Sequence, residues 1–283
     1  MTILIFGKTG QLATELARRV PDAIQLGRDE ADLSDPSACG AAIRDARPDV
    51  VINAAAYTAV DRAEEEEALA TTINGKAPGA MALACAELGI PFVHVSTDYV
   101  FDGSGEAPFT TNHPTAPLGA YGRSKLAGEL AVPAAGGAHA ILRTSWVFSA
   151  HGANFLKTML RLSETRDRLT IVDDQIGGPT QASAIADACL AIASQLGDDA
   201  GKSGIYHFSG APDTSWAGFA REIFAQAGRE VEVVGIPSSG YPTPAKRPLN
   251  SRMDCSTLSV FGLERPDWRE GVREALAELG VPG

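Results

Sequence analysis

The feature that most constrains this chain is the order of its first 144 residues, where short apolar runs rich in β-branched side chains alternate with stretches of helical periodicity. The runs lie near 2–6, 22–26, 49–53, 91–95 and 139–144, and the helical patterns near 10–20, 36–47, 62–88 and 118–131. A helix between successive strands is the connection that parallel pairing requires. Val50-Val51-Ile52 and Phe92-Val93-His94-Val95 are almost continuously apolar, as strands are when helices cover both faces of their sheet. The predicted fold class is α/β, a doubly wound parallel sheet. Beyond residue 150 the order is less regular: a helix near 153–163, a strand near 168–172, a helix near 181–195, a strand near 204–208, then helices near 214–227 and 267–279. The stretch from Ile236-Pro237 to Pro248 is too broken for a helix and reads as an ordered binding loop or a surface linker.

Composition narrows the function. A formal charge of −11 argues against nucleic acid or an anionic membrane surface as a partner, because both demand a basic footprint. No apolar run approaches the roughly 18 residues of a membrane span, and Met1 to Phe6 lead into Gly7 without the basic segment of a secretory signal. A cytoplasmic location is expected. Cys39, Cys85, Cys189 and Cys255 are scattered and read as buried, reduced thiols. The acidic run Glu64 to Glu67 reads as the solvated start of a helix. His94, His113, His139, His151 and His207 show no ligand spacing, so no metal is predicted.

Gly7-Lys8-Thr9-Gly10-Gln11-Leu12-Ala13 follows the first strand and opens the first helix. Gly7 suits the tight turn, and Gly10 stands where backbone must approach a pyrophosphate at a helix N-terminus. The spacing of a P-loop is absent. After the second strand, where NAD-selective enzymes often place a carboxylate, stands Gly27-Arg28 before Asp29 and Glu30. Arg28 is the candidate for a 2′-phosphate, which favours NADPH, with NADH possible. We read residues 1–150 as an NAD(P)-binding Rossmann domain completed by about 179–200, and 151–283 as mainly a smaller α/β substrate-binding lobe.

Tyr121 and Lys125 stand at i and i+4, one turn apart on one helix face. A phenol titrates near 10 when unperturbed, and a nearby cation favours tyrosinate, so the spacing suits a tyrosine that exchanges protons. Upstream, Val93 to Phe101 end a strand with hydroxyls at the carboxyl edge of the sheet, where Thr97 can hydrogen-bond a carbonyl oxygen.

With these residues the chain resembles the extended short-chain dehydrogenases, whose Thr/Ser, Tyr and Lys triad matches Thr97, Tyr121 and Lys125. Asn53 to Asp61, Ser96 to Phe101, Arg143 to Val147 and Arg247 to Arg252 narrow the resemblance to the dTDP-4-dehydrorhamnose reductase family, nearly end to end. That resemblance implies that Gly10, Gln11 and Leu12 hold the pyrophosphate, that Asp32 and Leu33 lie by the adenine, and that Ala54, Ala55 and Ala56 line the cofactor's inner side. It implies Trp146, Asp98 and Asn154 as contacts to a dTDP-sugar, and reduction of a C4 ketone by NADPH. Arg247, in a stiff loop beside Pro248, is the candidate for the nucleotide's diphosphate because a guanidinium binds phosphate in bidentate fashion. The resemblance also raises magnesium between subunits through Glu15, but Ser183 occupies the stretch where a second glutamate is sought. Monomer and homodimer both stay open.

Two alternatives remain. A related epimerase or 4,6-dehydratase would keep its NAD tightly bound, but the dehydratase commonly has Asp-Glu after the threonine and here Tyr99 follows Asp98. A non-catalytic regulatory subunit would not need the intact Thr97, Tyr121 and Lys125. Arg28→Ala should weaken NADPH more than NADH, since only the former places a phosphate at that side chain. Equal losses in the two dissociation constants, measured by fluorescence titration, would show that Arg28 does not read the 2′ position.

Overall fold

The computed structural model describes residues 1–281. Five of the expected strands, β1 (Ile3–Phe6), β2 (Ile24–Leu26), β3 (Val50–Asn53), β4 (Phe92–Thr97) and β5 (His139–Thr144), join Gly204–His207 in one six-stranded parallel sheet. Its order is Gly204–His207, β5, β4, β3, β1, β2. Because β2 and β3 flank β1 on opposite sides, the chain reverses direction across the sheet there, and a crevice opens at the carboxyl ends of β1 and β3.

The period of two along each strand divides the side chains between two cores. Ile3, Ile5, Ile52, Val93 and Leu142 face Leu16 of the Gln11–Arg19 helix and Ile185, Ile192 and Leu196 of the Ala182–Asp198 helix. Leu4, Phe6, Val51, Phe92 and Ile141 face Ile43 and Met81 from the opposite side. A third core, with Phe148, Leu156, Ile171, Phe219 and Trp268, lies under the remaining helices. There Arg168–Val172 pairs with Glu232–Ile236, a strand that the periodicity did not reveal and that ends where the Pro-rich stretch begins. That stretch then makes one short turn at Ser238–Gly240.

Residues 62–88 do not form one helix. Short turns lead into a π-helical segment at Thr72–Lys76 and only then into the Ala77–Leu88 helix. Pro78 lacks the N–H that would bond the Asn74 carbonyl four residues back, which frees the widened turn. The buried Asn74 side chain then clamps Tyr57, its Nδ2 donating to Tyr57 O at 2.9 Å and its Oδ1 accepting from Tyr57 N at 2.8 Å. The Asn74 carbonyl comes so close to the Ala120–Ala134 helix that a Cβ on Gly128 would lie 2.2 Å from it.

That helix is pinned from below as well. Glu129 and Arg143 are each 2% exposed and joined at 2.6 Å, and Ser96 Oγ donates to Glu129 Oε1 at 2.6 Å. Arg143 Nη1 also lies 3.2 Å from His207 Nε2. Gly128→Ala must push the helix off the Asn74 carbonyl. It should cost about 1–3 kcal/mol, the usual penalty of overpacking, seen as a lower midpoint in urea with an unchanged slope. An unshifted midpoint would mean that the helix has room there.

Candidate active site

The first strand ends in a turn that only a glycine fits well. Gly7 has φ +121°, and a Cβ on it would stand 3.1 Å from the Ala13 Cβ. Gly10 precedes the Gln11–Arg19 helix with no atom within 4 Å of where its Cβ would be. The first-turn N–H groups at Gln11 and Leu12 lack partners within the helix, so the loop forms an open cradle of donors that suits a pyrophosphate. Leu12 and Leu33 are buried, Ala54 and Ala55 are half-buried, and Ala56 is exposed. Ala55 N donates to Asn53 Oδ1 at 3.1 Å, which fixes the segment that leaves β3. Asp32 Oδ1 accepts from Ser34 N at 2.8 Å. Arg28 is exposed, and beside it Lys8 is ion-paired with Glu30, whose other oxygen accepts from Gly27 N at 2.9 Å. Lys8 is thus a second cation at the end of β2, one that the sequence reading had not connected with Arg28.

At the carboxyl end of β4 the chain turns through Asp98–Val100, with Thr97 as its cap. Gly122 lets the next helix press against this turn, since a Cβ there would be 2.2 Å from Tyr99 O. Tyr121 is thereby brought to Thr97 and set edge-on to Tyr99, with ring centroids 5.4 Å apart. Burial pushes the Tyr121 phenol above its ordinary range; the Thr97 hydroxyl opposes this, and Asp98 and Tyr99 add to it. Lys125 is buried, donates to Val95 O at 2.7 Å, and is pushed down to about 8 by desolvation, partly offset by Glu129. The expectation that lysine lowers the tyrosine pKa is therefore not met, since Lys125 is not among the groups that shift the phenol. Burial dominates at both groups and leaves a protonated phenol beside a weakened ammonium.

Asp98 is held up to about 6, chiefly by burial, with Ser251 and Thr97 pulling it back. Thr97 Oγ1 donates to Asp98 Oδ1 at 3.0 Å. Among the described residues, Asp98 Oδ2 and Ser251 Oγ are buried and lack an aligned hydrogen-bond partner, so Ser251 affects the carboxyl by proximity. Across the site Trp146 adopts φ +50°, a backbone conformation that costs a non-glycine residue energy. Its indole stacks on Trp216 with centroids 3.8 Å apart and packs over Gly177. Arg247 Nη2 donates to Asp61 Oδ2 at 2.7 Å, while its Nη1 is buried with no aligned partner among the described residues; the guanidinium also lies close enough to the Tyr99 phenol to oppose the rise that burial causes there.

Asn154 stands apart from this cluster. It caps the Phe155–Ser163 helix by accepting from Lys157 N at 3.1 Å, and its amide donates to Gln11 Oε1, Ser149 O and His151 O. Its amide is thus engaged within the chain, where it orders the loop that leads into this helix. Gln11 likewise spends its side chain on Asn154, Ser149 and Val147, leaving its backbone N–H for a ligand. Trp216, Tyr99, Asp61 and Ser251 were not singled out from the sequence. Tyr99, Asp61 and Ser251 lie inside recognised blocks, whereas Trp216 begins a helix 70 residues after Trp146 with no local signal. Far along the chain, His151 joins Glu15 and Glu278, their ligand atoms within 4.8 Å of one another. The dispersed histidines had given no hint of that grouping, which Arg18 and Arg19 neutralise through ion pairs.

The family described as RmlD substrate binding domain matches residues 1–281. A dTDP-4-dehydrorhamnose reductase of Sinorhizobium fredii is 45% identical over 100% of this chain and 99% of its own length. That of Escherichia coli K12 is 40% identical over 99% and 98%. Among solved structures, dTDP-4-dehydrorhamnose reductase of Bacillus anthracis in complex with NADP is 34% identical, covers 98% of this chain and 100% of its own, and superposes with a TM-score of 0.91. A UDP-Glc/GlcNAc 4-epimerase from Campylobacter jejuni, 18% identical with a TM-score of 0.79 over 99% of each chain, shares the fold alone. From a parallel sheet with its crevice at β1 and β3, a Thr97–Tyr121–Lys125 cluster at the sheet edge and these end-to-end likenesses, it follows that the chain belongs to the dTDP-4-dehydrorhamnose reductase family of oxidoreductases.

Proposed function

We propose that this protein reduces the C4 ketone of dTDP-4-dehydro-L-rhamnose to dTDP-L-rhamnose with NADPH, as a cytoplasmic step of sugar-nucleotide synthesis. The observation that carries this reading is the meeting of Thr97, Tyr121 and Lys125 beside the crevice, in a chain 40% and 45% identical to relatives named for that substrate. Residues 1–150, with the returning segment near 179–200, would hold the cofactor, and most of 151–283 the sugar nucleotide. The open cradle at Gly10 fits a pyrophosphate, and Arg28 with Lys8 fits a 2′-phosphate. When bound, the nicotinamide supplies hydride to the ketone carbon.

The chain's own residues supply the rest. Thr97 orients the carbonyl oxygen, and Tyr121 gives its phenolic proton to that oxygen as negative charge develops there. The raised phenol pKa suits this direction, since the acid is still protonated when reduction begins. Lys125, one turn away, holds the ribose and stabilises the tyrosinate left behind. Asp98 accepts from a sugar hydroxyl, the stacked Trp146 and Trp216 offer an apolar platform, and the free Nη1 of Arg247 meets the diphosphate while Asp61 keeps the guanidinium in place.

The deciding experiment mixes purified protein, NADPH and dTDP-4-dehydro-L-rhamnose and follows cofactor absorbance and sugar product. Turnover only with a different keto-sugar nucleotide would keep the reductase and remove the substrate. Tyr121→Phe should lower kcat by about 10²–10⁴-fold, the usual reach of general acid catalysis, with the fold and NADPH affinity retained. Lys125→Met should lower both kcat and affinity, and the double variant should match the worse single one, because groups acting as a unit are not additive. Full activity of Tyr121→Phe would favour a regulatory subunit.

Asp98 gives a second test, on stability. Its carboxyl is raised from about 3.9 in the unfolded chain to about 6 in the folded one, so the folded state binds the extra proton and loses stability as pH rises from about 4 to 6. Asp98→Asn keeps an acceptor for Thr97 and removes that penalty. It should unfold at a higher temperature than the parent at pH 8, by about 1–3 kcal/mol of stability, show a smaller gain at pH 4, and turn over more slowly. An equal gain at both pH values would place the carboxylate's cost elsewhere.

A further inference from the structure

His94 lies on β4, three residues before Thr97, and takes no part in the reaction proposed above, yet its buried ring is engaged at both nitrogens. Asn53 Nδ2 stands 3.1 Å from Nδ1, and Lys125 Nζ stands 3.4 Å from Nε2. A third contact decides the tautomer. The Ala55 N–H donates to Asn53 Oδ1 at 3.1 Å, so the amide shows its oxygen to Ala55 and its NH₂ to the imidazole. Nδ1 must then accept. A neutral imidazole has one proton, which is left on Nε2, facing Lys125. Burial keeps the ring neutral, its pKa held well below the usual histidine range, and the nearby Lys125 charge adds to this. An Nε2–H offers nothing to an ammonium but donates readily to the lone pair of a free amine. The bond from Nζ to Val95 O at 2.7 Å serves either form.

We propose that His94 is a positioning residue for Lys125: a one-way chain of donors, Ala55 N–H to Asn53, Asn53 to His94 and His94 Nε2–H to Nζ, disfavours the ammonium and sets where the lysine titrates. The other groups around Nζ do not replace it. Glu129, one turn along the same helix, favours the ammonium, but its charge is shared with Arg143 from β5 and Ser96 from β4. Tyr121, one turn earlier, is neutral in this state, and Asn74 in the π-helical segment is occupied with Tyr57 and Ser124. The chain begins at Ala55, in the segment proposed to line the cofactor, so anything that moves Ala55 alters the proton affinity of Lys125. The importance of this coupling rests on the role given to Lys125 above; the coupling itself does not.

Two measurements on the cofactor-free, full-length protein test it. Nitrogen-15 spectra of the His94 ring, assigned through its backbone, should show a neutral Nε2–H tautomer from pH 6 to 9; an Nδ1–H tautomer or an imidazolium in that range overturns the proposal. The Lys125 amine, identified by its loss in Lys125→Met, should titrate about one pH unit higher in His94→Phe, a tenfold gain in proton affinity, because the ring shape is kept and the N–H is gone. An unmoved or lowered midpoint overturns it. Should His94→Phe fail to fold, the wild-type tautomer still decides. Neither readout uses the sugar or the nicotinamide, so a failure to reduce dTDP-4-dehydro-L-rhamnose would sink the proposed function and leave these results standing.

Discussion

The carboxylate of Glu129 and the guanidinium of Arg143 meet where neither reaches water, and the rest of the site depends on that meeting. Tyr121, Lys125 and Glu129 stand at i, i+4 and i+8 of one helix, so they form a single stripe. Fixing Glu129 fixes the azimuth of the two residues above it. Arg143 holds Glu129 to β5, and the Ser96 hydroxyl holds it to β4 one residue before Thr97. Helix and strand are thus registered by charge-assisted hydrogen bonds that admit one rotation, whereas an apolar contact would tolerate several. The pair need not add stability, since desolvating two ions costs about as much as their attraction returns. What it contributes is angular definition.

Much of the fold was legible because periodicity is local. Alternation of strand and helix, apolar strands such as Val50–Asn53 and the glycine turn after β1 are each written within a few residues. The Tyr121 and Lys125 pair was legible for the same reason, since one helical turn is a fixed count. Other features depend on distance in the chain. Asp61 holds Arg247 across 186 positions, and Trp216 stacks on Trp146 because a separate helix delivers it there. The π-helical break at Thr72–Lys76 was hidden because Ala, Leu and Met around it have strong helix propensity; Pro78 and the tertiary bonds of Asn74 overrule that propensity. The cap role of Asn154 was legible but not read: an Asn just before a helix is the signature of a cap, and its side chain accepts from Lys157 N there.

The site's electrostatics follow from a shortage of cations. In a chain of net charge −11, most arginines of the described residues are spent in ion pairs, as Arg19 is with Asp187 and Arg44 with Glu87. Arg247 differs because its ion pair uses only one end of the guanidinium. Lys125 differs because its hydrogen-bond neighbours are a carbonyl and an imidazole, and no carboxylate of the described residues is paired with it. A lysine so placed is desolvated with only partial compensation from Glu129, which is why its pKa falls, and the phenol one turn away is desolvated too, which is why its pKa rises. The phenol is therefore neutral at physiological pH, whereas the lysine, at about 8, is still mostly an ammonium whose charge burial has made costly. In the proposed reaction, proton donation from Tyr121 would leave a buried anion one helical turn from that cation. The desolvation cost of the ammonium is carried by the resting site, and the charge that develops as the ketone is reduced is the partner that offsets it, so the attraction is greatest in the step that creates the anion.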